Sequence, residues 1–110
     1  MKLVGRVPRA RLLAEELVRL DYPPWNVLVA WVHGVPRAIE DACNHAGASL
    51  VEGSRQGDQV VCPLHGYVFA LETGELVAPR GLCENQRCFL AVVEGDEVVV
   101  YDPFELQIVK

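Results

Sequence analysis

Lysine is nearly missing from this chain. Only Lys2 and Lys110 stand among 10 basic residues, which face 15 acidic ones for a net charge of −5. Nucleic-acid binders need the opposite balance to neutralise phosphates, so no nucleic-acid partner is expected. No apolar run approaches the ~18 residues of a membrane-spanning helix, so no membrane role is expected. The opening Met1-Lys2-Leu3-Val4-Gly5-Arg6 meets Pro8, Arg9 and Arg11 before an apolar stretch can build. No secretory signal is read there, and a cytoplasmic location is expected. Internal repeats, low-complexity tracts and a G-x-G-x-x-G nucleotide motif are also lacking.

What remains is 110 residues, 51% hydrophobic and 23% charged. That is one domain's worth of chain, apolar enough to build a core and too apolar to stay disordered. A moderately acidic surface suits solubility or docking to a basic protein partner.

The pattern along the chain is that of short strands. Leu3 to Val7 reads as a first strand, and Pro8 suits the start of a short helix running to Ala14. A strand from Leu17 to Tyr22 follows. Val27 to Val32 is apolar and β-favouring, turns at His33-Gly34 and returns as Val35 to Glu40. Gln59-Val60-Val61 and Tyr67 to Leu71 come next, the latter turning at Glu72-Thr73-Gly74-Glu75. Arg87 to Val93 and Glu97 to Tyr101 flank Gly95-Asp96 as a hairpin. About eight strands at this spacing predict an all-β fold, an antiparallel sandwich or small barrel.

The chemistry sits in two loops. One is Cys43-Asn44-His45-Ala46-Gly47 and the other Cys62-Pro63-Leu64-His65-Gly66, with residues 46–61 between the two ligand pairs. Each arm offers a thiolate and an imidazole, and two such loops can wrap one metal centre from two sides. Zinc accepts two cysteines and two histidines, but usually as pairs of like ligands, which these mixed arms fit poorly. A plant-type iron–sulfur cluster needs C-x4-C-x2-C. Cys83 and Cys88 meet the first spacing, but Ala91 stands where the third cysteine is needed. A Rieske 2Fe–2S cluster places two cysteines on one iron and two histidines on the other, a requirement the two arms meet directly.

At these residues the chain resembles the Rieske family, in its small soluble ferredoxin branch. The likeness covers most of the chain. It includes C-x-H and C-x2-H, Gly47 and Gly66 in the ligand loops, Pro63, Phe69 with Gly74 in the next hairpin, and Pro79 where the family has a proline loop over the cluster. The resemblance implies one 2Fe–2S cluster, with Cys43 and Cys62 on the buried iron and His45 and His65 on the outer one. Gly47, Gly66, Tyr67 and Pro79 would stand around it, the glycines letting backbone N–H groups approach the sulfurs. It further implies a lobe of about residues 41–80 inserted in a β base made of 1–40 and 81–110. The role implied is one-electron transfer from a reductase to an oxygenase or other acceptor, by a chain that is not an enzyme alone. Two alternatives stand beside it: the small subunit of a nitrite-reductase-like enzyme, and a structural zinc module using the same four ligands.

Four thiolates would leave an oxidised cluster negatively charged, whereas two thiolates and two neutral imidazoles leave it neutral and easier to reduce. Reduction then raises the histidine pKa values. High-potential Rieske proteins carry two further loop cysteines as a disulfide, and Ser and Tyr hydroxyls bonded to sulfurs. Here Ala48 and Leu64 stand at the disulfide positions and Tyr67 and Phe69 at the hydroxyl positions.

Other candidates read as ordinary. Cys83 and Cys88 read as small buried hydrophobes, His33 as a turn residue, and Asp41, Glu52 and Glu72 as solvated surface. Trp25 and Trp31 read as packing residues without a redox role. With fewer donors toward the sulfurs, the midpoint potential is expected near the low end of the Rieske range of about −150 to +300 mV. Voltammetry finding it above roughly +200 mV would contradict that reading.

Overall fold

The apolar run Val27–Val32 forms a strand with no face left for water, and two antiparallel sheets grow around it. The computed structural model describes residues 2–23, 26–42, 49–64, 66–78 and 86–103. Among them ten strands form: β1 (Lys2–Pro8), β2 (Leu17–Leu20), β3 (Val27–Val32), β4 (Val35–Glu40), β5 (Ser54–Gln56), β6 (Gln59–Val61), β7 (Val68–Ala70), β8 (Leu76–Ala78), β9 (Cys88–Glu94) and β10 (Glu97–Asp102). Helix α1 (Arg9–Glu15) joins β1 to β2, and a 3-10 turn at Leu50–Glu52 precedes β5. One sheet has the order β1-β10-β9-β4-β3-β2, the other β5-β6-β7-β8. This is the all-β antiparallel architecture expected from the strand pattern.

Alternation along β3 explains the two cores. Leu28, Ala30 and Val32 join Ile39 of β4 against Leu50, Val60, Cys62, Phe69, Leu71 and Leu76 from the smaller sheet and its loops. Val27 and Val29 point the other way, with Ala38, into a core built from Val7, Leu12, Val18, Tyr22, Phe89, Val98 and Val100. Successive side chains of a strand leave on opposite faces, so a six-residue apolar run feeds both cores at once. Each fully buried aliphatic side chain contributes roughly 1.5–3 kcal/mol relative to exposure. The larger sheet curls around the second core into a half-barrel, and its end strands approach each other. A Cβ at Gly5 of β1 would lie 3.4 Å from Leu20 Cδ1 of β2.

Polar groups tie the layers. Arg55 of β5 donates from Nη2 to the Trp31 carbonyl at 2.7 Å and from Nη1 to the Glu16 carbonyl at 3.3 Å, joining the smaller sheet to the larger. In the half-barrel core the Tyr22 hydroxyl donates to the buried Asp102 carboxylate, and the Phe89 ring meets the Tyr22 ring edge-on at 6.1 Å.

Two strands were not legible in the sequence pattern. β5 reads Ser-Arg-Gln and carries no apolar signal, and β8 reads Leu-Val-Ala, apolar but only three residues long. Both are edge strands of the smaller sheet, held by pairing with β6 and β7. Cys88 also corrects its expectation. Phe89 takes the inward position at the start of β9, which sends Cys88 outward to an exposed site with a free thiol. His33 does sit in the β3–β4 turn, at φ 51. Trp31 packs at the half-barrel core, partly buried. Trp25 and Cys83 lie outside the described residues. Among the described residues no helix is long and apolar enough to cross a membrane.

Tyr22→Phe is expected to cost about 2 kcal/mol by removing a hydroxyl from a buried carboxylate, a fall in Tm of roughly 10 °C. An unchanged melting curve would mean that the hydroxyl contributes nothing. Partial desolvation pushes the Cys88 thiol above its ordinary value, only partly offset by the Arg37 charge. Its thiolate is therefore scarce at neutral pH. Peptide-resolved alkylation of Cys88 should still accelerate above pH of about 8.5, the ordinary thiol pKa, and a plateau below it would contradict this.

Candidate metal centre

The second arm grows out of β6. Val60 points into the core between the sheets, and Cys62, two residues on, keeps that direction and ends 1% exposed beside Leu50 and Phe69. The Cys62 N–H then donates to the Tyr67 carbonyl at 2.7 Å, extending the β6–β7 ladder by one step beyond Val61 and Val68. Between those two residues the chain reverses, and the Gly66 N–H donates back to the Cys62 carbonyl at 3.1 Å. Leu64, near the tip, is 60% exposed. Tyr67 is half-buried and packs against the core that holds Cys62.

Gly66 has a backbone reason of its own to be glycine. Its N–H is engaged by the Cys62 carbonyl, and an added Cβ there would meet nothing within 4 Å. Its φ of 73°, a region that side-chain-bearing residues rarely adopt, is what calls for glycine.

The first arm is known by its two ends. Ala42 and Ser49 form an isolated antiparallel bridge, so the chain leaves and returns side by side. Asp41 secures that closure. Its backbone carbonyl accepts from the Leu50 N–H at 2.8 Å, while its carboxylate accepts from Ser49 Oγ at 2.6 Å and from the Val51 N–H at 2.9 Å. Read as solvated surface, Asp41 is instead 2% exposed. A carboxylate with two such donors can be buried at little cost, because each hydrogen bond replaces one to water. It serves the 3-10 turn at Leu50–Glu52 as a cap from a distant part of the sequence. Only tertiary folding brings the two together, although an Asp two residues before a cysteine arm was visible.

Gly53 joins the arms. A Cβ there would collide with the Val61 carbonyl and lie 3.2 Å from Pro63 Cδ, so the return of the first arm presses on the start of the second. Both arms are thus rooted at the same place against the same core. Cys43, His45, Gly47, His65 and Pro79 lie outside the described residues. Among the described ones, Cys62 supplies what a buried iron needs: a free, soft sulfur donor, screened from water and carried on a strand end. Two thiolates and two imidazoles are also the donor set of a Rieske cluster, so the residues of the two arms fit it.

His33 belongs to a separate surface group. Its Nε2 lies 3.5 Å from Asp58 Oδ2, Glu72 stands close by, and Arg37 pairs with Glu72 at 3.6 Å. The guanidinium already supplies the positive charge that the two carboxylates attract.

Comparison with known proteins agrees with this geometry. A model of the Rieske [2Fe-2S] domain matches residues 6–89. The chain is 38% identical over 85 residues to the ferredoxin component of biphenyl 2,3-dioxygenase from Rhodococcus jostii, covering 77% of this chain and 78% of that protein. The structure is similar to the ferredoxin of carbazole 1,9a-dioxygenase from Nocardioides aromaticivorans, with a TM-score of 0.81 and 26% identity over 93% of this chain and 99% of that one. It also resembles a chain in a complex of reduced oxygenase and oxidised ferredoxin of carbazole 1,9a-dioxygenase, with a TM-score of 0.69 and 32% identity over 77% and 87% of the two chains. With most of its length matched in sequence and in fold, this chain belongs to the Rieske [2Fe–2S] domain family.

Proposed function

We propose that this chain is a one-electron carrier that takes electrons from a reductase and delivers them to an oxygenase. In this reading Cys43 and Cys62 hold the inner iron of a Rieske cluster, and His45 and His65 hold the outer iron. Such a cluster, when bound, supplies reversible one-electron chemistry at a potential above that of all-cysteine ferredoxins. The observation that carries the proposal is the placement of Cys62: a free thiol, buried at a strand end, with the return of the other arm packed beside it.

The chain's own residues do the rest. Leu50, Val60 and Phe69 exclude water from the Cys62 sulfur. Gly66 and Tyr67 close the second arm through the Cys62 backbone, and Asp41 closes the first through Ser49 and Val51. The lobe of about residues 41–80 is the part we assign to the cluster, mounted on the base formed by 1–40 and 81–110. The named relatives are components of dioxygenases, and an oxygenase partner fits a chain without a nucleotide-binding motif. The acidic net charge of −5 suits docking to partners with basic faces.

Protein purified without air should carry two irons per chain, in line with a [2Fe-2S] family. After dithionite reduction it should give a rhombic EPR signal with average g below that of all-cysteine ferredoxins. Cys62→Ser should abolish both. A colourless sample with zinc in place of iron would overturn the proposal and leave the four ligands as a structural site.

A further inference from the structure

We propose that Gln86 is a positioning residue of the metal centre, its buried side-chain amide holding the end of β4 from which the first arm leaves. This rests on the reading of the two arms as cluster ligands. Gln86 is 3% exposed, one of few polar side chains buried among the described residues. Its Nε2 donates to the Glu40 carbonyl at 2.9 Å and to the Ala42 carbonyl at 2.7 Å. Both partners are acceptors, so the NH2 group and not the oxygen must face them. One side chain therefore satisfies two backbone carbonyls with its two hydrogens.

These bonds replace a ladder that has ended. β4 and β9 pair through Ala38 with Phe89 and Ile39 with Cys88, and the Glu40 N–H still donates to the Arg87 carbonyl at 2.8 Å. One residue further, the Gln86 backbone has turned away, its N–H donating to the Gly74 carbonyl at 2.7 Å. The side chain takes over where the main chain leaves. Gly74 is bound tightly to this junction: its φ is 76°, and a Cβ there would collide with the Gln86 carbonyl. Gln86 thus joins the exit of β4 to the β7–β8 turn, which follows the second arm in the chain.

The consequence for the centre follows from peptide geometry. The Ala42 carbonyl belongs to the planar group that links Ala42 to Cys43. A hydrogen bond that fixes this carbonyl fixes the plane from which Cys43 departs. Asp41 and the Ala42–Ser49 bridge close the first arm on itself, whereas Gln86 sets where that closed arm stands relative to the second.

The test compares wild-type protein, Gln86→Met, Gln86→Asn and Tyr22→Phe, all with bound cluster. Gln86→Met keeps length and loses both donors, and Gln86→Asn keeps the amide one methylene short. Tyr22→Phe removes a buried hydrogen bond in the other core. Loss of the cluster to an iron chelator should be about tenfold faster in Gln86→Met, the scale of effect seen when groups supporting metal ligands are removed. The midpoint potential and reduced EPR g values should shift with it, and Gln86→Asn should move all three in the same direction by less. Tyr22→Phe should lower Tm and leave them unmoved. If both Gln86 variants lose only thermal stability and keep the wild-type chelation rate, potential and spectrum, Gln86 is merely structural and the proposal falls. If Gln86→Met does not fold, Gln86→Asn decides by the same readouts. Wild-type protein without iron overturns the cluster reading itself and this proposal with it, a result distinct from iron-loaded protein whose variants behave as wild type.

Discussion

Strand β3 is buried on both faces, and the remaining architecture follows from the need to cover it. One face requires the half-barrel made by β1, β10, β9 and helix α1; the other requires the smaller sheet of β5 to β8. Cys62 lies in the seam between the two sheets because β6 must turn its inner face toward β3. The sulfur is dry for the same reason that the domain folds.

Around that seam the polar groups are few and each joins segments far apart in the chain. Arg55 reaches from β5 to Trp31 and Glu16, Asp41 reaches to Ser49 and Val51, and Gln86 reaches to Glu40, Ala42 and Gly74. Burying such groups is tolerable only where their hydrogen bonds are made, so each also fixes a unique geometry. Two of the three stand at the roots of the ligand arms. The metal centre is accordingly supported by hydrogen bonds from residues that would not themselves bind metal.

The strand pattern and the ligand arms were open to reading because both are local. Hydrophobic alternation and turn chemistry at His33-Gly34 and Gly95-Asp96 act within a few residues, and C-x-H with C-x2-H is a compact signature. Strands β5 and β8 were not legible because β5 has no apolar run and the three apolar residues of β8 are too few to mark a strand, so both are held by their neighbours. The misreadings of Asp41 and Cys88 have one origin. Composition predicts burial by side-chain type, whereas register decides it: Phe89 claimed the inward position beside Cys88, and distant donors made an inward Asp41 tolerable.

The sequence by itself determined the family and set out the two cysteine–histidine arms proposed to hold the cluster, since these depend on the order of residues and the chemistry of their side chains. It determined that β3 would be a fully apolar strand. Only the tertiary structure decided which of its residues serve which core, that Gly53 lets the two arms press together, and that Gly66 answers to backbone conformation with its N–H already bound. Only the fold, too, made Asp41 and Gln86 into supports. Their partners lie 8 to 46 positions away in the chain, where hydrogen-bonding leaves no trace in local sequence and exists only once the backbone has brought donor and acceptor together.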